Sequence, residues 1–422
     1  MNTVLVQRLS LAVLLVIVVS AVGLRLYGLG WDSGYPYSPH PDERAMLYAV
    51  ERISLDSTAK NLNPQWFAYG SLPIYVNFFA IELLEKIAPF NLHSDGRLFG
   101  RTLAALAGLG VAVYFYLATV GFLGRRWSLF GVALLLFSVL HVQIGHFLTV
   151  DALLCFFIMG ALYSLNEFIK KGSFKKAIIV GVWIGLGVAT KLTALLILPV
   201  VCVSLFLFAL KARENTAITT SFFRLTSVSF LRGFLILLTA GIVVVVCQPF
   251  MLVDWAGFVE DVVTQGKMVV REIDFPYTRQ YIKTAPYIYN IWHLMVFGLG
   301  LPLGLLSLAG VVFVFQRLTK RLSINGVLFF LLSFIVPAIM LILWGGILVK
   351  TLAISLHVFL FLLSLYKANR HSVPVAVVLF FTWTLSYFLF VGSLEVKLSL
   401  IHISEPTRRY SISYDVFCLK KK

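Results

Sequence analysis

Apolar runs of roughly 18 to 25 residues recur along almost the whole chain, each long enough to cross a hydrocarbon layer of about 30 Å as a helix. About eleven can be placed, over 8–28, 98–121, 128–147, 152–169, 177–190, 192–210, 229–248, 287–315, 324–345, 351–366 and 373–392. With 59% hydrophobic and 13% charged residues and a mean hydropathy of +0.91, the apolar surface exceeds what one soluble core could bury. The expected fold class is an all-α polytopic membrane protein. The 177–190 and 192–210 runs read as a hairpin broken near Lys191. The first run is too long for the apolar core of a signal peptide, and no small-residue cleavage site follows it, so it reads as a retained anchor.

The formal charge of +16 raises nucleic acid as a partner, and its distribution argues against it. Arg8, Arg125, Arg126, Lys170, Lys171, Lys175, Lys176, Lys211, Arg213, Arg317, Lys320, Arg321, Lys367 and Arg370 fall in alternate short loops. That is the positive-inside pattern, and it assigns the N-terminus and these loops to the cytoplasm. Before the C-terminal tail, only Glu167 and Glu214 among the acids share their side. Cys155, Cys202, Cys247 and Cys418 have neither a disulfide nor a thiolate-metal spacing.

The acids concentrate where the chemistry is expected. The outer loop 29–97 is far longer than most connections, which marks it as functional, and it carries His40-Pro41-Asp42-Glu43. Pro41 suits a helix start, and carboxylates in the first turn face the positive end of the helix dipole, so a helix is expected from Asp42 to about Leu55. A second helix, from Tyr69 to Ile87, is expected to lie at the membrane interface, because a further crossing would invert every later loop. On the same face fall His146 and Asp151 at a short turn, Lys191 at the hairpin tip, Lys350 before the 351–366 run, and Arg271 in the outer loop 249–286. Acids and cations at headgroup depth suit binding of a lipid phosphate and activation of a hydroxyl. The competing readings are a plain helix cap for Asp42 and Asp151, solvation for Glu43, and snorkelling for Lys191 and Lys350. His40 and His146 read as supporting, hydrogen-bonded residues, and Tyr277, Tyr281, Tyr287, Tyr289 and Trp292 as an interfacial belt.

Five strings in order carry a resemblance: His40 to Glu43, Tyr69-Gly70-Ser71-Leu72-Pro73, His146 to Asp151, Thr190-Lys191-Leu192-Thr193-Ala194, and Gln248 to Asp254. Together they resemble the multi-spanning glycosyltransferases of the C-type (GT-C) fold, the protein O-mannosyltransferase and lipid A aminoarabinose transferase superfamily. The likeness runs to about residue 320; after Lys350 the family's Arg-Tyr pair and proline are missing from Thr351 to His357. The resemblance implies transfer of a sugar, with inversion, from a polyprenyl-phosphate donor to a hydroxyl on the extracytoplasmic face of the plasma membrane. In that reading Asp42 is the base, Glu43 positions Asp42 or the acceptor, Asp151 is the second acid, and Lys191, Lys350 and Arg271 meet the donor phosphate. No metal or other cofactor is expected to be obligatory, although a divalent cation is compatible with the carboxylates near His40. The acceptor would be a protein, a glycolipid or a wall polymer. A transporter or flippase for a lipid-linked substrate is the alternative. It fits less well, since transporters place ionisable groups near the bilayer midplane and use repeated halves. The expected layout is one transmembrane domain over 1–398. Residues 399–422 resemble a translated sequencing adapter, so the natural C-terminus is expected to differ.

Overall fold

A computed structural model describes residues 3–35, 38–55, 61–87, 89, 91–215, 222–319, 324–343, 353, 357, 360–361 and 373–396. Lys350, most of the 351–366 run and the 399–422 tail lie outside the described residues. Those described form helices joined by turns, with a single isolated bridge between Ser54 and Asn61. Five helical segments are long and apolar enough to cross a membrane: Leu92–Leu136, Val150–Lys171, Leu192–Ala212, Val228–Cys247 and Val375–Ser393.

The long helices are α1 (Thr3–Leu26), α4 (Arg97–Leu136), α6 (Val150–Lys171), α7 (Phe174–Thr190), α8 (Leu198–Asn215), α9 (Phe222–Cys247), α13 (Leu301–Thr319), α14 (Ile324–Leu343) and α15 (Val375–Ser393). Shorter ones are α2 (Pro41–Glu51), α3 (Leu72–Glu85), α5 (Val139–Ile144), α10 (Phe250–Val253), α11 (Trp255–Val269) and α12 (Ile288–His293). The boundaries correct the sequence reading in two places. The 98–121 and 128–147 runs remain two helical stretches, because α4 is broken at Gly124, whose φ of 75° and ψ of 166° are not helical and suit a residue without a Cβ. That helix stops at Leu136, because Arg25 of α1 donates from Nη2 to the Leu136 carbonyl at 3.0 Å and Ser138 is extended; only the short α5 follows. The 287–315 run is divided by a π-turn over Leu294–Gly298 and by Gly300 at φ 76°.

Local chemistry sets the ends. Ser173 caps α7 by accepting from the Lys176 amide at 3.3 Å. Gly172 closes α6 in the left-handed region, and Lys170 and Lys171 occupy the last turn. The main core joins α6, α7, α8, α9 and α15 through Leu165, Phe168, Val180, Ile184, Ile236 and Leu379. Gly181 and Gly185 let α7 meet α9 backbone to backbone, since a Cβ at Gly181 would stand 2.6 Å from the Ile236 carbonyl oxygen. A second cluster packs α1 on α4 through Ala21, Ala112, Val132 and Leu136.

The bundle has two unlike ends. α6 carries Asp151 in its first turn and Lys170 and Lys171 in its last, about 30 Å apart along the helix at 1.5 Å per residue. At the basic end Lys211 donates to the Lys170 carbonyl at 3.3 Å and Arg232 to the Gly172 carbonyl at 2.6 Å. At the other end the tip of the α7–α8 hairpin meets the 61–71 segment and the start of α6.

Candidate active site

α2 begins as its sequence requires: Pro41 occupies the first turn, Asp42 and Glu43 follow it, and the His40 ring accepts from the Asp42 amide at 3.3 Å. It ends at Glu51, four residues short of the expected Leu55. Buried Met46 and Leu47 pack on Leu148 and Val150, each contributing on the order of 1.5–3 kcal/mol, and so seat the start of α2 against the start of α6. His40 lies over Phe147, with ring centroids 4.6 Å apart.

The adjacent acids separate at once. Asp42 is half-buried, whereas Glu43 is fully buried. Glu43 accepts two hydrogen bonds from Arg101, Nε at 2.7 Å and Nη2 at 2.6 Å. It also takes the Ser38 hydroxyl at 2.5 Å and the Leu148 amide at 2.6 Å. Arg101 is shared with buried Asp32, at 2.7 and 2.9 Å, lies 5.4 Å from the Trp31 ring centroid, and donates to the Leu29 carbonyl at 2.6 Å. Arg97 Nη1 stands 3.5 Å from Asp32 Oδ2. A carboxylate so committed holds structure in place: Glu43 joins the residue after Asp42 to the residue three before Asp151.

Asp151 and Lys191 form an ion pair at 2.9 Å, with side chains 29% and 18% exposed, so both reach solvent or a ligand. Lys191 is the extended residue, φ −159° and ψ 129°, between α7 and the 3-10 turn Leu192–Ile197. Its ammonium stands 5.2 Å from the Tyr69 ring centroid. Burial works against the charge, but Asp151, Tyr387 of α15 and Asp42 outweigh it and push the Lys191 pKa above its usual value. Asp42, Asp151 and Lys191 therefore share one electrostatic environment. Tyr69 is held there by Gly70, whose amide donates to the Thr190 carbonyl at 3.0 Å and whose missing side chain leaves room for the Ala189 carbonyl.

Of the remaining sequence candidates, His146 and Arg271 fall elsewhere. His146 places Nδ1 2.8 Å from the Val142 carbonyl and Nε2 3.1 Å from the Tyr27 carbonyl, which ties the α5–α6 turn to the end of α1. Arg271 has a left-handed φ of 57° and its side chain stands 3.9 Å from Glu395; among the described residues it touches none of Asp42, Asp151 and Lys191. Lys350 lies outside the described residues, as does the side chain of Tyr277. Asp254 caps α11 through the Gly257 amide and accepts from Asn63 at 2.8 Å. Among the described residues no three His, Cys, Asp or Glu side chains gather as a metal site would need.

Sequence reading missed Asp32, Arg97, Arg101 and Tyr387, and gave Tyr69 only as part of a family-like string. One signal was present: Arg97 and Arg101 lie one turn apart at the end of a span that the charge pattern assigns to the acidic side, where arginines are out of place unless they answer buried acids.

Residues 76–247 match the family model described as dolichyl-phosphate-mannose-protein mannosyltransferase. No curated protein sequence matches the chain. Similar solved structures include the S. cerevisiae protein O-mannosyltransferase Pmt1-Pmt2 complex bound to the sugar donor, at 16% identity and TM-score 0.42 over 58% of this chain and 33% of that one. Another is ArnT from Cupriavidus metallidurans bound to undecaprenyl phosphate, at 16% identity and TM-score 0.40 over 90% of this chain and 76% of that one. A third is the archaeal oligosaccharyltransferase AglB from Archaeoglobus fulgidus with an inhibitory peptide and a dolichol-phosphate, at 14% identity and TM-score 0.40 over 97% of this chain and 51% of that one. The chain thus spans a third of the length of the first and about half of the third. The matched segment is less than half of the chain; it carries Arg101, Asp151 and Lys191 and begins after Asp42.

Proposed function

We propose that this protein is a GT-C membrane glycosyltransferase that moves a sugar from a polyprenyl-phosphate carrier to a hydroxyl acceptor on the extracytoplasmic face. The observation that carries the reading is the grouping of Asp42, Asp151 and Lys191 at the acidic end of the bundle, within and beside the segment that matches the mannosyltransferase family model.

The chemistry follows from what each group can do. The acceptor oxygen attacks the anomeric carbon from the face opposite the phosphate; the new C–O bond forms as the bond to the phosphate oxygen breaks, which inverts the centre. The hydroxyl proton passes to the half-buried carboxylate of Asp42, and the electron pair leaves with the polyprenyl phosphate. The ammonium of Lys191 has three N–H donors, so it can meet a phosphate oxygen while keeping Asp151, and it stabilises charge that grows as the phosphate departs. Asp151 orients that ammonium. Glu43, already bound by Arg101 and the Leu148 amide, sets where Asp42 stands. Arg271 and Lys350 remain further candidates for the donor phosphate. The lipid tail would lie along the apolar helices, and the acceptor would be a protein, glycolipid or wall polymer.

The test is to incubate the purified chain in lipid with a panel of polyprenyl-phosphate sugars and candidate acceptors, and to read release of polyprenyl phosphate. Turnover is expected for at least one donor. Asp42→Asn should lower it by about 10²–10⁴-fold, the range for loss of a general base, in protein that still inserts and elutes as wild type. Retained turnover removes Asp42 from the base role; no turnover together with gradient-driven movement of the lipid makes the protein a transporter.

A further inference from the structure

The exposed face of α11 points to an interaction that the transfer reaction does not require. α9 ends at Cys247 with an exposed apolar side, where Leu238, Ile242 and Val246 are 46%, 56% and 72% exposed. Two residues later α10 and α11 begin, and they carry exposed apolar residues of their own. Leu252 and Val253 are 53% and 75% exposed, and Trp255, Val259 and Val263, spaced four residues apart along α11, are 57%, 36% and 45% exposed. The spacing puts the last three on one helix face. Polar Glu260 and Lys267, both exposed, sit along one rim of it.

The other face of α11 is already occupied. Asp254 accepts from Asn63 at 2.8 Å, Asp261 accepts from the Phe67 amide at 2.6 Å, and the Phe258 and Phe67 rings meet edge to face at 5.9 Å. An apolar stripe that follows directly in the chain on a candidate span, with a tryptophan just after the span ends, is the pattern of a helix lying in the bilayer interface. We infer that α10 and α11 dock on the lipid surface at the acidic end of the bundle through Leu252, Val253, Trp255, Val259 and Val263. The bilayer then backs α11, α11 grips Asn63 and Phe67, and the same segment carries Tyr69 and Gly70 to Lys191. The inference is independent of the proposed reaction.

The test uses the unmodified chain in phosphatidylcholine–phosphatidylglycerol vesicles containing a phospholipid with a diazirine near its acyl carbonyls, with photolysis followed by peptide mapping. Cross-links are expected in residues 250–263 as well as in α9, which serves as the positive control. Cross-links in α9 with none in 250–263 overturn the inference, whether water or another protein covers the stripe. A Val259→Asp, Val263→Asp double variant is expected to lose most 250–263 cross-linking while keeping that of α9; unchanged yield in 250–263 shows that this stripe is not the contact and also overturns it.

Discussion

Neighbouring side chains of the same charge take opposite parts in this protein because their burial differs. Glu43 is fully enclosed with Arg101 and Asp32, and one guanidinium there bonds two carboxylates, so its removal leaves buried charge uncompensated. Arg101→Met should therefore destabilise the fold by roughly 3–5 kcal/mol, read as the unfolding free energy in mixed micelles; a change below about 1 kcal/mol, typical of a solvated surface pair, would show that the group is not closed. Lys191 is less enclosed, its side chain 18% exposed and paired with Asp151. Its pKa is raised above the ordinary 10.5, against burial, by Asp151, Tyr387 and Asp42. The pairing energy is then fully present below 10.5 and is lost only as pH climbs through the higher folded value. Lys191→Met should weaken donor-phosphate binding by a constant factor from pH about 7 to about 10, measured by titration with polyprenyl phosphate; a factor that shrinks within that window would mean that Lys191 loses its proton there.

At the level of elements, the site is made where three chain segments touch: the start of α2, the start of α6 and the tip between α7 and α8. Gly70 fixes the segment that covers that tip, because its Cα lies against the Ala189 carbonyl and backbone cannot rotate aside as a side chain can. Gly70→Ala should push Tyr69 off Lys191 and reduce donor affinity, while the membrane helices, packed through Gly181 and Gly185, keep their melting temperature. A binding isotherm beside a thermal melt separates the two effects; wild-type affinity in the variant would show that Tyr69 does not need this seat. The start of α2 was legible because Pro41, Asp42 and Glu43 form a helix-start signal. The break at Gly124 was legible as well, since Gly124, Arg125 and Arg126 resemble a loop; the stop at Leu136 was not, because it takes neighbouring α1 to show where the helix ends.

For the whole molecule the two ends of the bundle make opposite demands on the membrane. Lysines at the end of α6 and the start of α7 should face the cytoplasm, and Lys267 and Lys283 the other side. An impermeant amine reagent applied to intact cells should label Lys267 and Lys283 and spare Lys170, Lys171, Lys175 and Lys176 until the membrane is opened. The reverse pattern would invert the topology and place the Asp42–Lys191 site in the cytoplasm.

Hydropathy alone determined that the chain is helical and built for a bilayer, because a run of apolar residues has few other places to go. Local chemistry in the sequence determined the start of α2, the break at Lys191 and the short list of acids and cations. Only the tertiary structure decided that Glu43 belongs to Arg101 and Asp32 while Asp42 stays half-buried and outside that cluster. It also decided that Arg271 turns to Glu395. The reason is physical: periodicity and charge bias are summed over neighbours along the chain, whereas an ion pair such as Asp32–Arg101 joins residues 69 positions apart and exists only once α1, α2 and α4 have closed around it.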